Sequence, residues 1–266
     1  MTKPVTKETS QKRVRVRTER STFSLLPLRD KIALVTGASS GIGRCIALSL
    51  AEEGAQVFLV GRRAKALEEV AKLAQGQSPL SRVCRTDLRR EEDIYALAAE
   101  MRQNGGRLNI LVHSSGEIHH AELATASIRD LDSQYQSNVR GPYLVTQALL
   151  PMLRAGLGQL VFINSSCGLR APARTGQYAA TQHAMKAIAD SLREEVNADG
   201  IRILNVYLGR TATPRTERLF QEERKTYRPE LLMQPEDVAA MIIHALKLPR
   251  TAEVTDISMR SLYKSY

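Results

Sequence analysis

The feature that most constrains the fold is a regular alternation of short apolar segments with longer amphipathic ones. Apolar, β-branched runs lie at residues 32–36, 56–60, 110–112, 160–163, 201–208 and 254–259, and another begins at Val83. Segments with helical spacing separate them, at residues 43–53, 64–74, 91–102, 131–154, 178–198 and 235–246. Such an alternation is typical of a parallel sheet covered on both faces. We therefore predict one α/β domain built on a doubly wound parallel sheet.

The composition excludes several other classes of protein. Hydrophobic residues make up 43% of the 266 residues and charged residues 25%, which is ordinary for a folded globular chain. No uninterrupted apolar run is long enough to cross a bilayer, so no membrane span is predicted. Cys45, Cys84 and Cys167 are far apart and lack metal-ligand spacing, so we expect buried thiols and no metal site. A cytoplasmic location is the expectation that follows.

The net charge of +10 is concentrated near the start of the chain. Residues 1–20 hold seven lysines and arginines against Glu8 and Glu19, which accounts for half of the excess. We predict that residues 1–27 form a basic, flexible arm, and both a solvated segment and a polyanion-binding contact remain open for it. The rest of the chain is only mildly basic, so no nucleic-acid partner is expected.

Residues 210–233 interrupt the alternation with a polar, charged segment that contains Pro214 and Pro229. The segment follows the end of a predicted strand, where open α/β sheets bind ligands. It is interpreted either as a lid or as an ordinary surface excursion. The helix after it, residues 235–246, starts with Glu236 and Asp237, which suit a helix N-terminus.

A glycine-rich turn at residues 36–43 joins the first strand to the first helix. Gly37 permits a tight turn, Gly41 lets the backbone approach a diphosphate, and Gly43 lets helix and strand pack closely. The free N–H groups at the helix N-terminus then hold the phosphates. The turn predicts nucleotide binding through its members Gly37, Ser39, Ser40, Gly41, Ile42 and Gly43.

Arginines at the end of the second strand indicate which dinucleotide is bound. An acidic residue there would accept hydrogen bonds from the ribose 2′-hydroxyl of NAD(H). This chain has Arg62 and Arg63 instead, and Arg44 follows the glycine turn. Guanidinium groups favour a 2′-phosphate, so NADP(H) is predicted over NAD(H).

Later motifs stand in a recognisable order after the TGxxxGIG pattern of the turn: Asp87-Leu88, Asn138, Ser165, Tyr178 thirteen residues beyond that serine, and Thr213-Pro214. Together they resemble the short-chain dehydrogenase/reductase family over about residues 28–260. The resemblance implies a Rossmann fold, Asp87 and Leu88 at the adenine, and Thr213 at the nicotinamide. It also implies catalytic roles for Asn138, Ser165 and Tyr178, and a homo-oligomer, either a dimer or a tetramer.

The chain departs from that family at several positions. Ser114-Ser115-Gly116 replaces an Asn-Asn-Ala-Gly motif and Leu208-Gly209 replaces Pro-Gly, with Ser114, Gly116 and Gly209 kept as expected cofactor contacts. Gln182 stands four residues after Tyr178, where the family has a lysine. A lysine there stabilises the tyrosine phenolate by its charge. A glutamine can still hydrogen-bond a ribose hydroxyl, but it brings no charge.

Two functions follow from this pattern. The first is an NADP(H)-dependent oxidoreductase that interconverts a carbonyl and a secondary alcohol of a small molecule, with catalysis weakened by Gln182. The alternative is a non-catalytic nucleotide-binding protein, acting as a sensor or as the partner of an active relative in a mixed oligomer.

Overall fold

A seven-stranded parallel sheet forms the centre of the protein, whose computed structural model describes residues 28–263. The strands are β1 (Ile32–Thr36), β2 (Gln56–Gly61), β3 (Arg82–Arg85), β4 (Ile110–His113), β5 (Gln159–Ser165), β6 (Arg202–Leu208) and β7 (Asp256–Met259). Their order in the sheet is β3-β2-β1-β4-β5-β6-β7. The predicted doubly wound parallel sheet is confirmed. The predicted arm at residues 1–27 lies outside the described residues.

Eight α-helices cover the sheet in the described part of the chain. They are α1 (Gly41–Glu52), α2 (Ala64–Gln75), α3 (Glu91–Gln103), α4 (Ile128–Tyr135), α5 (Gly141–Gly156), α6 (Gly176–Val196), α7 (Pro214–Glu222) and α8 (Pro235–Leu246). No helix in residues 28–263 is long and apolar enough to cross a membrane.

Two hydrophobic cores lie on opposite faces of the sheet. On one face Ile46 of α1 and Ile242 of α8 pack with alternate residues of the strands. On the other face Ile94 of α3, Leu149 of α5 and Ala189 of α6 do the same. Strands buried on both faces need apolar residues at nearly every position, which explains their continuous apolar runs.

Two segments differ from the sequence-based prediction. The helix expected over residues 131–154 is two α-helices joined by a π-helical turn, Gln136–Arg140. The polar segment at residues 210–233, interpreted from the sequence as a lid or a surface excursion, contains a helix, α7, that was not predicted. Thr213 caps that helix and Pro214 occupies its first position, a combination that is typical of helix N-termini.

The strand order reverses between β1 and β4, so the connections that follow these two strands lead to opposite sides of the sheet. In open α/β sheets this reversal leaves a crevice at the carboxyl ends of the strands, where ligands bind. The glycine turn after β1 and the segment after β4 both open at that edge.

Candidate active site

One cleft of about 1460 Å³ lies at this edge of the sheet. It brings together every site residue predicted from the sequence: Gly37, Ser39, Ser40, Gly41, Ile42, Gly43, Arg62, Arg63, Asp87, Leu88, Ser114, Gly116, Asn138, Ser165, Tyr178, Gln182, Gly209 and Thr213. The motifs are spread over 177 positions of the sequence, between residues 37 and 213. The fold therefore places them in a single site.

The glycine turn has the geometry that its sequence predicts. Gly37 and Gly41 have φ angles of +70° and +54°, a backbone conformation that residues with a side chain rarely adopt. A Cβ atom at Gly43 would lie 2.5 Å from the carbonyl oxygen of Gly37, so no side chain fits there. Ser40 precedes α1 without capping it by a side-chain hydrogen bond. The first N–H groups of α1 are thus available to an anion.

Arg63 lies at the same turn, whereas the other two predicted arginines do not join it. The Arg63 guanidinium donates to the hydroxyl oxygens of Ser39, at 2.9 Å, and Ser40, at 2.7 Å. Arg62 lines the cleft but reaches towards Glu117, with 3.6 Å between the nearest charged atoms. Arg44 is not among the described residues that line the cleft. Of the three arginines predicted to converge, Arg63 lies at the turn, beside two hydroxyl groups.

Asp87 follows β3 and is held by its neighbour Arg89. The Arg89 guanidinium donates to the Asp87 carboxylate at 2.6 Å and lowers the pKa of that carboxyl. Leu88 is buried, and its carbonyl oxygen lies close against Gly141 at the start of α5. Both residues line the cleft beyond the glycine turn.

Ser165 and Tyr178 meet on the far side of the cleft. Ser165 ends β5, and its Oγ accepts a hydrogen bond from the N–H of Cys167 at 3.1 Å. Tyr178 lies in the first turn of α6 and is half-buried. Burial raises the pKa of Tyr178, while the Arg215 charge and a hydrogen bond with Ser165 act in the opposite direction. Tyr178, Ser165 and Arg215 all line the same cleft.

Gln182 lies one helical turn after Tyr178 and is 6% exposed. Its amide nitrogen donates to the Thr181 hydroxyl at 3.3 Å, and its backbone oxygen accepts from Asn164 at 3.1 Å. The next lysine along α6, Lys186, forms an ion pair with Asp190. Lys186 is thus paired with a residue one turn further along α6, away from Tyr178.

Asn138 sits in the π-helical turn between α4 and α5. Its side chain accepts from the N–H of Glu117 at 2.6 Å and donates to the carbonyl of the same residue at 2.8 Å. It also donates to the Thr181 hydroxyl at 3.1 Å. The amide of Asn138 thus ties the segment after β4 to α6. π-Helical turns often mark functional sites.

Three predicted cofactor contacts follow other strands, and a fourth caps α7. The N–H of Ser114 donates to the Thr36 hydroxyl at 3.1 Å, and Gly116 lies against the Asn138 side chain. Gly209 follows β6, and its N–H donates to Met259 at 2.8 Å. The Thr213 hydroxyl accepts from the N–H of Thr216 at 3.2 Å, so it already serves as the cap of α7.

Sequence reasoning missed a charged cluster on the same side of the cleft. His120 Nδ1 lies 3.4 Å from a Glu223 oxygen, and the His120 ring is 6.3 Å from that of Tyr178. Glu223 also pairs with Arg210 at 2.6 Å and with Lys225 at 3.0 Å. Burial raises the pKa of Glu223, but Arg210 and Lys225 together lower it to about 2. The mixed charges of residues 210–233 were visible in the sequence, but their partners were not.

His113 is buried at the end of β4. Its Nε2 lies 2.9 Å from the Thr146 hydroxyl, and its ring stacks on Phe162 with 5.0 Å between centroids. Burial lowers the pKa of His113 to about 3. Residues 28–263 contain no group of three or more His, Cys, Asp or Glu side chains that could hold a metal ion.

The sheet order, the glycine turn and the cleft define a dinucleotide-binding α/β protein. Residues 31–224 match the model of the short chain dehydrogenase family, and the chain belongs to that family. A Staphylococcus aureus (strain USA300) protein named as an uncharacterized oxidoreductase is 32% identical over 234 residues, which cover 88% of this chain and 98% of that protein.

Solved structures of short chain dehydrogenases are similar to the whole described domain. One from Escherichia coli CFT073, complexed with NADPH, is 30% identical, with a TM-score of 0.81 over 88% of this chain and 98% of that one. One from Shigella flexneri 2a, complexed with NADP, is 29% identical, with a TM-score of 0.81 over 88% of this chain and 99% of that one. The chain is accordingly an oxidoreductase of the short-chain dehydrogenase/reductase family.

Proposed function

We propose that this protein is an NADP(H)-dependent oxidoreductase that interconverts a carbonyl and a secondary alcohol of a small molecule. The observation that carries this proposal is the arrangement of the cleft. Its glycine turn opens towards one end, and Ser165 and Tyr178 line the other end. A phenol and a hydroxyl beside a dinucleotide site suit carbonyl reduction.

The residues present fit an NADP(H) molecule. Gly43 packs so closely on the Gly37 carbonyl oxygen that no Cβ fits between them. The N–H groups at the N-terminus of α1 have no side-chain cap, so an anion can bind there. Arg63, with the hydroxyls of Ser39 and Ser40, would hold the 2′-phosphate, because a guanidinium binds a phosphate by charge-assisted hydrogen bonds. Gln182 and Tyr178 would contact the nicotinamide ribose, and Asp87 the adenine. NADPH, when bound, supplies the hydride.

Tyr178 and Ser165 would perform the proton chemistry. In reduction, the Tyr178 hydroxyl gives its proton to the substrate oxygen while the carbonyl carbon takes up hydride. Ser165 donates a hydrogen bond to the same oxygen, on which negative charge develops. In oxidation, the Tyr178 phenolate takes the proton of the alcohol. Asn138 holds α6 and the segment after β4 in register around these groups.

A second function is favoured by one observation, the neutral Gln182 at the position of the family's lysine. Without a charge there, the phenolate loses stabilisation, and the protein would bind the nucleotide without turning over a substrate. It would then act as a cofactor sensor or as the partner of an active relative. Turnover by the purified chain alone excludes this second function.

The experiment that separates the two functions compares the wild type with Tyr178→Phe. We expect NADPH, followed by fluorescence titration, to bind both proteins, with at most a several-fold weaker affinity for Tyr178→Phe, because only one ribose contact is lost. Turnover of a panel of aldehydes and ketones is expected to fall by about 1000-fold in the variant, because the proton donor is lost. Equal turnover in the two proteins would overturn the assignment of Tyr178.

A further inference from the structure

We propose that Arg215 supplies the positive charge that Gln182 does not, and thereby supports the phenolate form of Tyr178 from across the cleft. The inference rests on the proposed function of Tyr178 as acid and base. In this arrangement the charge comes from α7, after β6, and not from α6. Arg215 acts through Tyr178 and is a positioning residue.

Several of the other cations that line the cleft are paired with carboxylates. Arg210 and Lys225 pair with Glu223, and Arg62 approaches Glu117. Arg215 is different, because its Nη2 donates to a neutral group, the carbonyl oxygen of Gly116, at 2.7 Å. No carboxylate within ion-pair distance of Arg215 is found in residues 28–263. Glu117 acts on the Arg215 charge from beyond ion-pair distance, and no directly paired anion among the described residues cancels that charge.

The contact with Gly116 places the guanidinium at the reacting end of the cleft. A Cβ at Gly116 would lie 4.0 Å from Arg215 Nη1 and 2.9 Å from the Asn138 side-chain oxygen. Asn138 in turn bonds Thr181, the residue next to Gln182. Arg215 thus lies beside the network that supports α6 just after Tyr178.

The position of Arg215 on its helix has a local cost. It lies in the first turn of α7, directly after Pro214, and the N-terminus of a helix carries partial positive charge. A cation there is unfavourable by a few tenths of a kcal/mol to about 1 kcal/mol. The Arg215 charge and the positive end of α7 both face the cleft that Tyr178 lines. A residue that breaks a local rule at a site is a candidate for a functional role.

Several charged or titratable groups around Tyr178 act on its ionisation. Burial raises the pKa of the phenol, and the Cys167 thiol acts in the same direction. The Arg215 charge and the Ser165 hydroxyl lower it. His120 faces the Tyr178 ring, and burial lowers the pKa of His120, which favours its neutral form. Among these groups, Arg215 is the cation whose charge lowers the pKa of Tyr178.

The proton balance shows when this charge matters. After Tyr178 has given its proton to the substrate oxygen, the phenolate remains until a proton arrives from solvent. In oxidation the phenolate must exist before the alcohol gives up its proton. A cation nearby lowers the free energy of the phenolate in both directions. Because Arg215 is exposed, water screens the interaction, and we expect an effect of about tenfold on turnover.

The test measures the ionisation of Tyr178 directly in the full-length protein. Tyrosine is labelled with ¹³C at Cζ, and the Tyr178 resonance is assigned by its loss in Tyr178→Phe. Because the pKa of Tyr178 is raised above its usual value, spectra are recorded from pH 7 to the highest pH at which each protein stays folded. Over that range we expect Arg215→Met to keep this resonance at its phenol position to a higher pH than the wild type. Arg215→Lys retains a charge and should shift the curve back towards the wild type.

Arg218→Met is the matched control, since it removes the same charge from α7 one turn further on. It should move the Tyr178 titration less than Arg215→Met does. The double variant Arg215→Met/Gln182→Lys places a cation on α6, one turn after Tyr178. We expect it to turn over substrate faster than Arg215→Met. Folding of each variant is checked by thermal unfolding.

The outcomes separate this inference from the proposed function. An unmoved Tyr178 titration in Arg215→Met overturns the role of Arg215, even if turnover falls. A rise in KM confined to anionic carbonyl substrates, with the titration unmoved, would identify Arg215 as a substrate-binding residue and also overturn it. A shifted titration in a protein that turns over no carbonyl supports the role of Arg215 and contradicts the proposed function.

Discussion

The two halves of the cleft are built in different ways. The half around β1, β2 and α1 relies on backbone: positive φ angles, the close approach of Gly43 to Gly37, and the uncapped N-terminus of α1. The half around α6 and α7 relies on charged side chains from distant segments. One example is Arg215, which donates a hydrogen bond to the carbonyl oxygen of Gly116. A backbone site tolerates few substitutions, because most residues do not fit it. A side-chain site can obtain the same charge from another segment.

The largest expected effect comes from breaking the backbone half with Gly43→Ala. The new Cβ would lie 2.5 Å from the Gly37 carbonyl oxygen, so the turn must shift. We expect NADPH affinity to fall by about 100-fold and thermal stability to fall with it, measured by fluorescence titration and calorimetry. Gly176→Ala is the matched control, since a Cβ there meets no atom within 4 Å. Unchanged NADPH binding in Gly43→Ala would contradict the phosphate site.

A smaller effect is expected where the backbone half uses one side chain, in Arg63→Ala. Loss of the guanidinium should weaken NADPH binding by about 30-fold and leave NADH binding nearly unchanged, because only NADPH carries the 2′-phosphate. Arg44→Ala is the control, because Arg44 does not line the cleft. If both cofactors weaken equally, Arg63 supports the turn and does not select the cofactor.

The smallest effect, on stability, is expected at His113, which is buried at the end of β4. Burial lowers its pKa in the folded protein from 6.5 to about 3. Below pH 6.5 the unfolded chain binds a proton that the folded protein refuses, so stability falls as pH drops from 6.5 towards 3. His113→Asn removes this contribution, and its free energy of unfolding should decrease less steeply over that range in urea titrations. His244→Asn is the control, because His244 is exposed, and its slope should equal that of the wild type. A His113→Asn slope equal to the wild-type slope would contradict the prediction.

The backbone half was predictable from the sequence because its signals are local. Gly37, Gly41 and Gly43 lie within seven residues between an apolar run and a helical one, and β1 was predicted at the residues that form it. The capped start of α8 was also visible, and the capping box between Gln234 and Asp237 confirms it.

The other half depends on contacts between residues far apart in the chain. The hydrogen bond from Arg215 to Gly116 joins positions 99 residues apart, and Glu223 meets His120 across more than 100. No periodicity or spacing reveals such pairs. The helix α7 itself had a local signal, Thr213 followed by Pro214, but the charged composition of the segment obscured it. The role of Gln182 stays a prediction.

The π-helical turn at Gln136–Arg140 has a consequence for the rotational phase of the helices that it joins. One residue more or less rotates the rest of a helix by roughly 100° about its axis. The turn lets the Asn138 amide face the cleft while Val145 and Leu149 of α5 still face the hydrophobic core. Deleting one residue there would turn either the amide away from the cleft or the apolar side of α5 towards solvent.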